Sequence, residues 1–271
     1  MRALFLAAFL LPSVMASGQP FDPGCPLPFD DIKTDGLAID EDCPAEGAAA
    51  EGPHAEQNRA KNDFCAPPPA RRVTVYSLKR LQRAVDELGI PYGSSNSLPE
   101  DRTVLRGLHK TSDGNTVGEG TLVALVGFVT DAHHSNLSKG ESVNCKRPRR
   151  ENNDIHVSLA ESPGTPPCET VSAEISPHFR PAAWDPEFIQ GITRPIRIAG
   201  PLFFDASHKP CRPGKKASPA RISSWEIHPV YQIDICKNKT IKACHPSKKG
   251  VWTPLHEFAE AHWKLLHEEE E

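Results

Sequence analysis

The sequence of 271 residues predicts a mainly β fold, a small Greek-key barrel like the oligonucleotide/oligosaccharide-binding (OB) barrel. Five segments rich in β-branched and aromatic residues are separated by loops rich in proline, glycine and serine. The first segment is long and contains Gly127, which is typical of a bulge or a sharp bend in a barrel strand. A short β-sandwich is the alternative fold. The five predicted strands are residues 121–129, 154–159, 170–175, 195–204 and 223–236.

The beginning of the chain predicts export. Arg2 precedes an apolar run that ends in the small residue Ala16, so residues 1–16 are interpreted as a signal peptide. The run is too short to span a bilayer, and no later segment approaches the roughly 18 uninterrupted apolar residues of a spanning helix. We therefore expect a periplasmic or extracellular protein that is soluble after cleavage, with no membrane span.

The remaining chain divides into three parts by composition. Residues 17–72 are rich in proline, acidic and small residues, so we expect an extended arm that is held by cysteines rather than by a core. Residues 73–252 are expected to form the barrel-like domain with a helix at its start. Residues 253–271 are expected to form a C-terminal helix and an acidic tail.

Two flanking helices are predicted by their apolar stripes and end signals. The first covers about 77–88, with Ser77 as its N-cap and Gly89 in the left-handed conformation that ends it. The second covers about 254–268, with Pro254 at its first position, where proline is favoured. Both are interpreted as helices that pack on the barrel.

All eight cysteines follow the predicted signal peptide, which indicates disulfides in an oxidising compartment. A structural metal is disfavoured because the chain contains no Cys-x-x-Cys pair. Three cysteines precede residue 70 and five follow residue 140, so full pairing requires at least one bridge between the arm and the domain. Among local pairs, Cys236 with Cys244 is the first choice. The cysteines are Cys25, Cys43, Cys65, Cys145, Cys168, Cys211, Cys236 and Cys244.

The last predicted strand alternates apolar and polar side chains with a period of two. Trp225 is expected to face the core, and Glu226 and His228 are expected to lie on the opposite, polar face. Pro229 interrupts the strand, because it cannot donate a ladder hydrogen bond, and it predicts an edge or a bulge there.

The second predicted strand repeats this pattern with Asp154 and His156 on its polar face. Four side chains, Asp154, His156, Glu226 and His228, therefore offer two carboxylates and two imidazoles. If the two strands are neighbours, these groups could converge on one Zn²⁺ or Mn²⁺ ion, as in metal-dependent hydrolases. Alternatively, they line the solvated or partly buried polar face of the sheet and form His–carboxylate hydrogen bonds across strands. If these residues line the polar face, no cofactor is predicted. A divalent metal is expected only if they converge on one ion.

The order of several short motifs resembles a family of exported bacterial proteins of unassigned function. The resemblance covers most of residues 60–236. It implies export, a β-rich domain and a shared polar face, and it assigns no catalytic residues. The motifs are residues 61–65 (KNDFC), 118–120 (GEG), 140–145 (GESVNC), 153–156 (NDIH) and 225–230 (WEIHPV).

Charge identifies one further candidate site. The chain has a net charge of −4, yet a predicted loop carries the basic residues Lys146, Arg147, Arg149 and Arg150. This loop could contact an anionic ligand or a glycan, although a solvated loop is the simpler interpretation. Nucleic acid is disfavoured as a partner, because only 7% of the residues are aromatic and no aromatic ladder lines a predicted strand.

The motif inventory does not favour an enzyme. The sequence contains no Gly-x-Ser-x-Gly elbow, no Walker loop and no His-Glu-x-x-His helix. The sequence thus predicts an exported, disulfide-stabilised β domain that acts as a binding or structural module. The alternative is a metal-dependent hydrolase or phosphodiesterase that uses Asp154, His156, Glu226 and His228.

Overall fold

A computed structural model describes residues 19–29 and 38–268 of the chain, the last six of them by their backbone. The predicted signal peptide, residues 1–16, lies outside the described residues, as does the end of the acidic tail, residues 269–271. The helices are α1 (Ala38–Asp42), α2 (Gly52–Lys61), α3 (Val75–Glu87), α4 (Pro186–Gln190) and α5 (Leu255–Glu268). The strands are β1 (Arg71–Val73), β2 (His109–Lys110), β3 (Thr116–Val117), β4 (Leu122–His134), β5 (Ile155–Ala160), β6 (Val171–Ile175), β7 (Ile196–Phe204), β8 (Trp225–Ile227), β9 (Gln232–Cys236) and β10 (Trp252–Pro254).

Five of these strands close into a barrel in the order β4-β5-β6-β8-β7, and β7 pairs again with β4. The β6–β8 pair is parallel, whereas the other four pairs of the barrel are antiparallel. Numbered within the barrel, the order is 1-2-3-5-4-1, which is the strand order of an OB barrel. The predicted mainly β fold with a Greek-key barrel is confirmed, and the alternative sandwich is not formed.

Strand β4 supplies two sides of the barrel because it changes partner at its middle. Its first half, up to Gly127, pairs with β7, and its second half, from Phe128 onward, pairs with β5. A Cβ atom on Gly127 would lie 3.0 Å from the carbonyl oxygen of Ala160, so glycine permits the close approach at the bend. A register shift between Val129 and Asp131 follows directly, as expected for a bulged strand.

The stretch predicted as a single strand, residues 223–236, is divided into β8 and β9. Strand β8 completes the barrel between β6 and β7, whereas β9 pairs with the first half of β7 and with β10. The connection between β8 and β9 passes so close to β7 that a Cβ atom on Gly200 would lie 2.3 Å from the carbonyl oxygen of Pro229. The predicted interruption at Pro229 is therefore the point where the chain leaves one pairing and enters another.

The main core fills the barrel and the groove under α3. Trp225 is fully buried in it, so its predicted core-facing orientation is correct. Leu78, Leu81 and Val85 form the apolar stripe of α3 and are also fully buried, with 0% exposure. The helix begins earlier than predicted: Thr74 is its N-cap, and Ser77 is the reciprocal partner in a capping box.

The predicted ends of the flanking helices are otherwise close to those in the structure. Gly89 follows α3 with a φ of 65°, the left-handed conformation that was predicted to end the helix. Helix α5 begins at Leu255, because the preceding Pro254 belongs to the short strand β10.

The N-terminal arm has more structure than its composition predicts. It contains α1 and α2, and Phe21, Phe29 and Phe64 pack with Tyr231 in a second, smaller apolar cluster. Phe64 stacks on Tyr231, with ring centroids 6.1 Å apart. Three aromatic side chains thus compensate for the low overall apolar content of this segment.

Four disulfides stabilise the β domain and its arm. The predicted bridge between the arm and the barrel domain is present as Cys43–Cys145, and the predicted local pair Cys236–Cys244 is also present. The other two bridges are Cys25–Cys65 and Cys168–Cys211. Within residues 19–29 and 38–268, none of the helices combines the length and apolarity needed to cross a membrane.

Candidate functional site

The outward face of the barrel is polar along three neighbouring strands. Because side chains alternate, the inward position of Val157 on β5 leaves His156 on the outer face, and Glu174 of β6 and Glu226 of β8 lie on the same face. Both faces of β6 and β8 are nevertheless buried. The reason is that the end of α2 packs over this face and inserts Lys61 into it.

Lys61 lies at the centre of this polar cluster. Its Nζ atom is 2.9 Å from Glu174 Oε2, 3.1 Å from Glu141 Oε2 and 3.2 Å from Asp154 Oδ2. Glu141 comes from the loop after β4, and Asp154 immediately precedes β5. Three segments of the barrel domain thus supply carboxylates to one ammonium group from the arm.

His156 bridges two of these carboxylates. Its Nδ1 atom is 3.2 Å from Glu174 Oε1, and its Nε2 atom is 3.5 Å from Glu141 Oε1. The ring also stacks on His133 of β4, with centroids 5.7 Å apart. Burial by itself would lower the pKa of His156, but attraction by Glu174 and Glu141 outweighs burial and raises that pKa to about 9. The side chain therefore carries an imidazolium at neutral pH.

His228 closes the deep side of the cluster. It is completely buried, and its Nε2 atom lies 3.4 Å from Asp154 Oδ2 and 3.5 Å from Glu174 Oε2. Its Nδ1 atom contacts the backbone carbonyl of Lys61, which fixes both the imidazole and the end of α2. Asp154 also accepts a hydrogen bond of 3.1 Å from Asn144 Nδ2.

The charges in the cluster stabilise one another. Burial would lower the pKa of Lys61, but Glu141, Glu174 and Asp154 raise it well above its ordinary value. Burial would raise the pKa of Glu141 and of Glu174. Lys61 and His156 instead hold both of these pKa values well below the ordinary range. Removing either cation would leave buried carboxylates without compensation, which is strongly destabilising.

Glu226 belongs to a neighbouring pair instead. Its Oε2 atom accepts a hydrogen bond of 2.8 Å from Arg221 Nη1, and Arg221 also pairs with Asp205. Burial and repulsion by Glu174 raise the pKa of Glu226 well above its ordinary value, although Arg221 acts in the opposite direction. The Glu226 carboxylate therefore takes up a proton at a higher pH than Glu141 or Glu174.

The four residues singled out from the sequence thus have different positions. Asp154, His156 and His228 join one cluster, whereas Glu226 turns to Arg221 beside it. The sequence interpretation did not select the other members of the cluster, although Lys61 and Glu141 lie inside the quoted KNDFC and GESVNC motifs. The period-two alternation of residues 171–175 was the signal that could have identified Glu174.

A metal could be held by part of this cluster. Ligand atoms of Glu141, Asp154, His156 and Glu174 all lie within 4.8 Å of one another. Carboxylate oxygens and an imidazole nitrogen are donors that suit Mn²⁺ or Zn²⁺. The set differs from the one expected from the sequence, because Glu141 and Glu174 replace Glu226 and His228.

A cavity of about 1610 Å³ opens above the cluster. Its walls come from α2, the loop after β4, strands β5 and β6 and the loop between β7 and β8, and its floor contains Lys61, Glu141 and His156. Strands β5 and β6 are the second and third strands of the barrel. The described residues that line the cavity include no phenylalanine, tyrosine or tryptophan.

The basic loop contributes one cation to this cavity. Lys146 is exposed and lines the cavity wall. Arg147 pairs with Asp42 of α1, and Arg150 is 2.9 Å from Glu187. Arg149 is 80% exposed and lies 3.9 Å from Glu151. The four residues therefore do not converge into a single anion-binding surface.

Comparison of the chain with protein-family models, curated proteins and solved structures gave no match.

Proposed function

We propose that the protein is an exported binding module whose small polar ligand occupies the cavity above β5 and β6. The observation that carries the proposal is that part of the charged cluster lines the cavity. Side chains of Lys61, Glu141 and His156 are 12%, 13% and 19% exposed, whereas Asp154 and His228 are fully buried. A preorganised charged network thus lines the cavity, and a ligand can hydrogen-bond to it without reorganising the site.

A hydroxyl-rich ligand of the glycan class fits the cavity best. An ionised carboxylate such as Glu141 accepts hydrogen bonds from hydroxyl groups at several positions, while Lys61 and His156 direct their donors at the cluster carboxylates and hold them in place. An anionic ligand would meet Glu141, Glu174 and Asp205 in the cavity wall. A single-stranded nucleic acid would in addition find no aromatic platform for base stacking. The use of the same face by OB barrels that bind oligosaccharides is a fold-level analogy in support.

Export and disulfide stabilisation are part of the same proposal. The Cys43–Cys145 bridge links the arm that carries Lys61 to the loop that carries Glu141. In an oxidising compartment this bridge would keep the two halves of the floor together. Four such bridges favour an extracellular or periplasmic location for the module.

The test is a binding screen on the mature protein with a panel of neutral and acidic oligosaccharides, followed by titration calorimetry. Glu141→Gln and His156→Gln should each weaken binding of a panel member by about tenfold or more, because the first removes a charged acceptor and the second removes the cation that holds Glu141 in place. His245→Gln is the matched control, because His245 is exposed and lies outside the cavity lining. Equal affinities in all three variants, or no binding across the panel, would contradict the proposal.

A metal-dependent hydrolase is the second candidate, favoured by the proximity of Glu141, Asp154, His156 and Glu174. Lys61 contacts all three carboxylates of this set, which makes a permanently bound metal less favourable. Elemental analysis of the purified protein and hydrolysis of bis-p-nitrophenyl phosphate with added Mn²⁺ or Zn²⁺ distinguish the two functions. Stoichiometric metal together with activity that is lost in His156→Ala would favour the hydrolase.

A further inference from the structure

Lys61 and its carboxylate partners come from separate parts of the molecule. The barrel domain supplies Glu141, Asp154, His156 and Glu174, and these residues lie on two barrel strands and the segment that connects β4 to β5. Lys61 is the last residue of α2, which belongs to the arm. The anionic cage and its cation therefore belong to separate segments of the chain.

The cage has the composition of a divalent-cation site. Three carboxylates and one imidazole, which has to release its proton to act as a metal ligand, lie within 4.8 Å of one another. Glu174 is 3% exposed, yet among the described residues its Oε2 atom receives no hydrogen bond of good geometry, although Lys61 Nζ is only 2.9 Å away. The attraction between these two groups is therefore mainly ionic, and a buried anionic oxygen remains available to a cation that approaches along its lone pairs.

The ammonium of Lys61 occupies the position that a metal would need. Its three contacts of 2.9–3.2 Å go to three different carboxylates, so it lies inside the ligand set and not beside it. Three carboxylates this close together, two of them buried, require a compensating cation, because desolvated like charges repel strongly. The contact of His228 Nδ1 with the Lys61 carbonyl holds the backbone at the same point.

We infer that Glu141, Asp154, His156 and Glu174 form a divalent-cation site whose cation position is filled by the chain's own Lys61, so that docking of Lys61 and binding of a metal exclude each other. The Cys25–Cys65 and Cys43–Cys145 bridges keep Lys61 close to the cage. A tethered ammonium has a high effective concentration, which makes it a strong competitor of a free ion. This inference concerns the cage and does not depend on a glycan ligand in the cavity.

The decisive experiment removes the charge of Lys61 and measures binding of Mn²⁺ and Zn²⁺. Lys61→Met keeps the length of the side chain without its ammonium, and titration calorimetry should show one new Mn²⁺ site at least about tenfold tighter than any in the wild type. The double variant Lys61→Met/Glu174→Gln should lose most of this gain. Lys79→Met, a matched change of an exposed helical lysine, should bind metal like the wild type.

The inference can fail in three distinguishable ways. Wild-type protein that already holds a stoichiometric metal would overturn it, as would a Lys61→Met variant that folds and binds no tighter than the wild type. If Lys61→Met does not fold alone, refolding with Mn²⁺ should restore its circular dichroism spectrum, and failure of Mn²⁺ to do so would also overturn it. Oligosaccharide binding by the wild type is measured in a separate experiment, so a result that contradicts one proposal does not contradict the other.

Discussion

His156 illustrates at the scale of one residue how a surface position of a strand becomes part of a buried charge network. The imidazole lies between Glu174 and Glu141 and is only 19% exposed, with Lys61 and His133 as its other charged or titratable neighbours. The two carboxylates overcome both burial and the repulsion from Lys61. The imidazolium therefore contributes to stability at neutral pH.

The pH dependence of stability tests this charge state. Because the pKa of His156 is raised from 6.5 to about 9 in the folded protein, its contribution is complete below pH 6.5 and is lost as the pH rises to about 9. His156→Gln should therefore lower the free energy of unfolding by roughly 1–3 kcal/mol near pH 6, and by much less above pH 9. Urea unfolding of both proteins across this range measures the difference. A difference that stays constant with pH would show that His156 is not an imidazolium in the folded state.

Strand β8 shows at the scale of an element that both faces of a barrel strand can be buried. Trp225 points into the barrel and packs on Phe204, with ring centroids 5.2 Å apart. The opposite face was expected to be solvated or partly buried, and it is almost completely buried: Glu226 lies against Arg221, His228 lies against the end of α2, and they are 1% and 0% exposed. A completely buried imidazole with polar contacts on both ring nitrogens is expected to contribute to stability.

Alanine substitutions on the two faces should both be costly. Trp225→Ala should lower the free energy of unfolding by about 3–5 kcal/mol through cavity formation. His228→Ala should lower it by about 2–3 kcal/mol, because the buried groups around it lose charged hydrogen bonds. Denaturant unfolding measures both, and Gln232→Ala, at an exposed position of β9, should change stability by less than about 0.5 kcal/mol. A neutral Trp225→Ala variant would mean that the two faces of β8 have been assigned the wrong way round.

At the scale of the whole molecule, the Cys43–Cys145 disulfide joins the N-terminal arm to the barrel domain. Cys43 and Cys145 are separated by 102 residues, whereas Cys236 and Cys244 are separated by 8. A longer closed loop removes more entropy from the unfolded chain, so the first bridge is expected to stabilise the fold more strongly. It also holds the arm, and with it Lys61, against the loop that contains Glu141.

Removal of each bridge tests this difference. Replacing Cys43 and Cys145 by serine should lower the free energy of unfolding by about 4–5 kcal/mol, and replacing Cys236 and Cys244 by about 2–3 kcal/mol. Guanidinium unfolding without reductant compares the two double variants with the wild type. Equal losses in the two variants would indicate that native contacts around each bridge, and not the length of the closed loop, determine its contribution.

Several features of this protein were determined by local sequence pattern. The period-two alternation around Trp225 correctly separated the core face from the polar face, because neighbouring side chains of a strand must point in opposite directions. Gly127 marked the bend of β4. The apolar stripe marked α3: Leu78, Leu81 and Val85 are buried as expected, whereas Leu88, which was expected to share the stripe, is 62% exposed. The distribution of cysteines along the chain required a bridge between the arm and the domain, and Cys43–Cys145 is that bridge.

The composition of the site was decided only by the tertiary structure. Lys61 reaches Glu174 across more than a hundred residues of sequence, because α2 folds over the outside of the barrel. Local periodicity predicts which face of a strand is polar, but it contains no information about which distant segment will cover that face. Asp154 and His228 were therefore recognisable as polar-face residues, whereas their shared cation was not. Charged groups from separate segments meet here because each buried carboxylate needs a counter-charge, and only the folded chain determines which one is within reach.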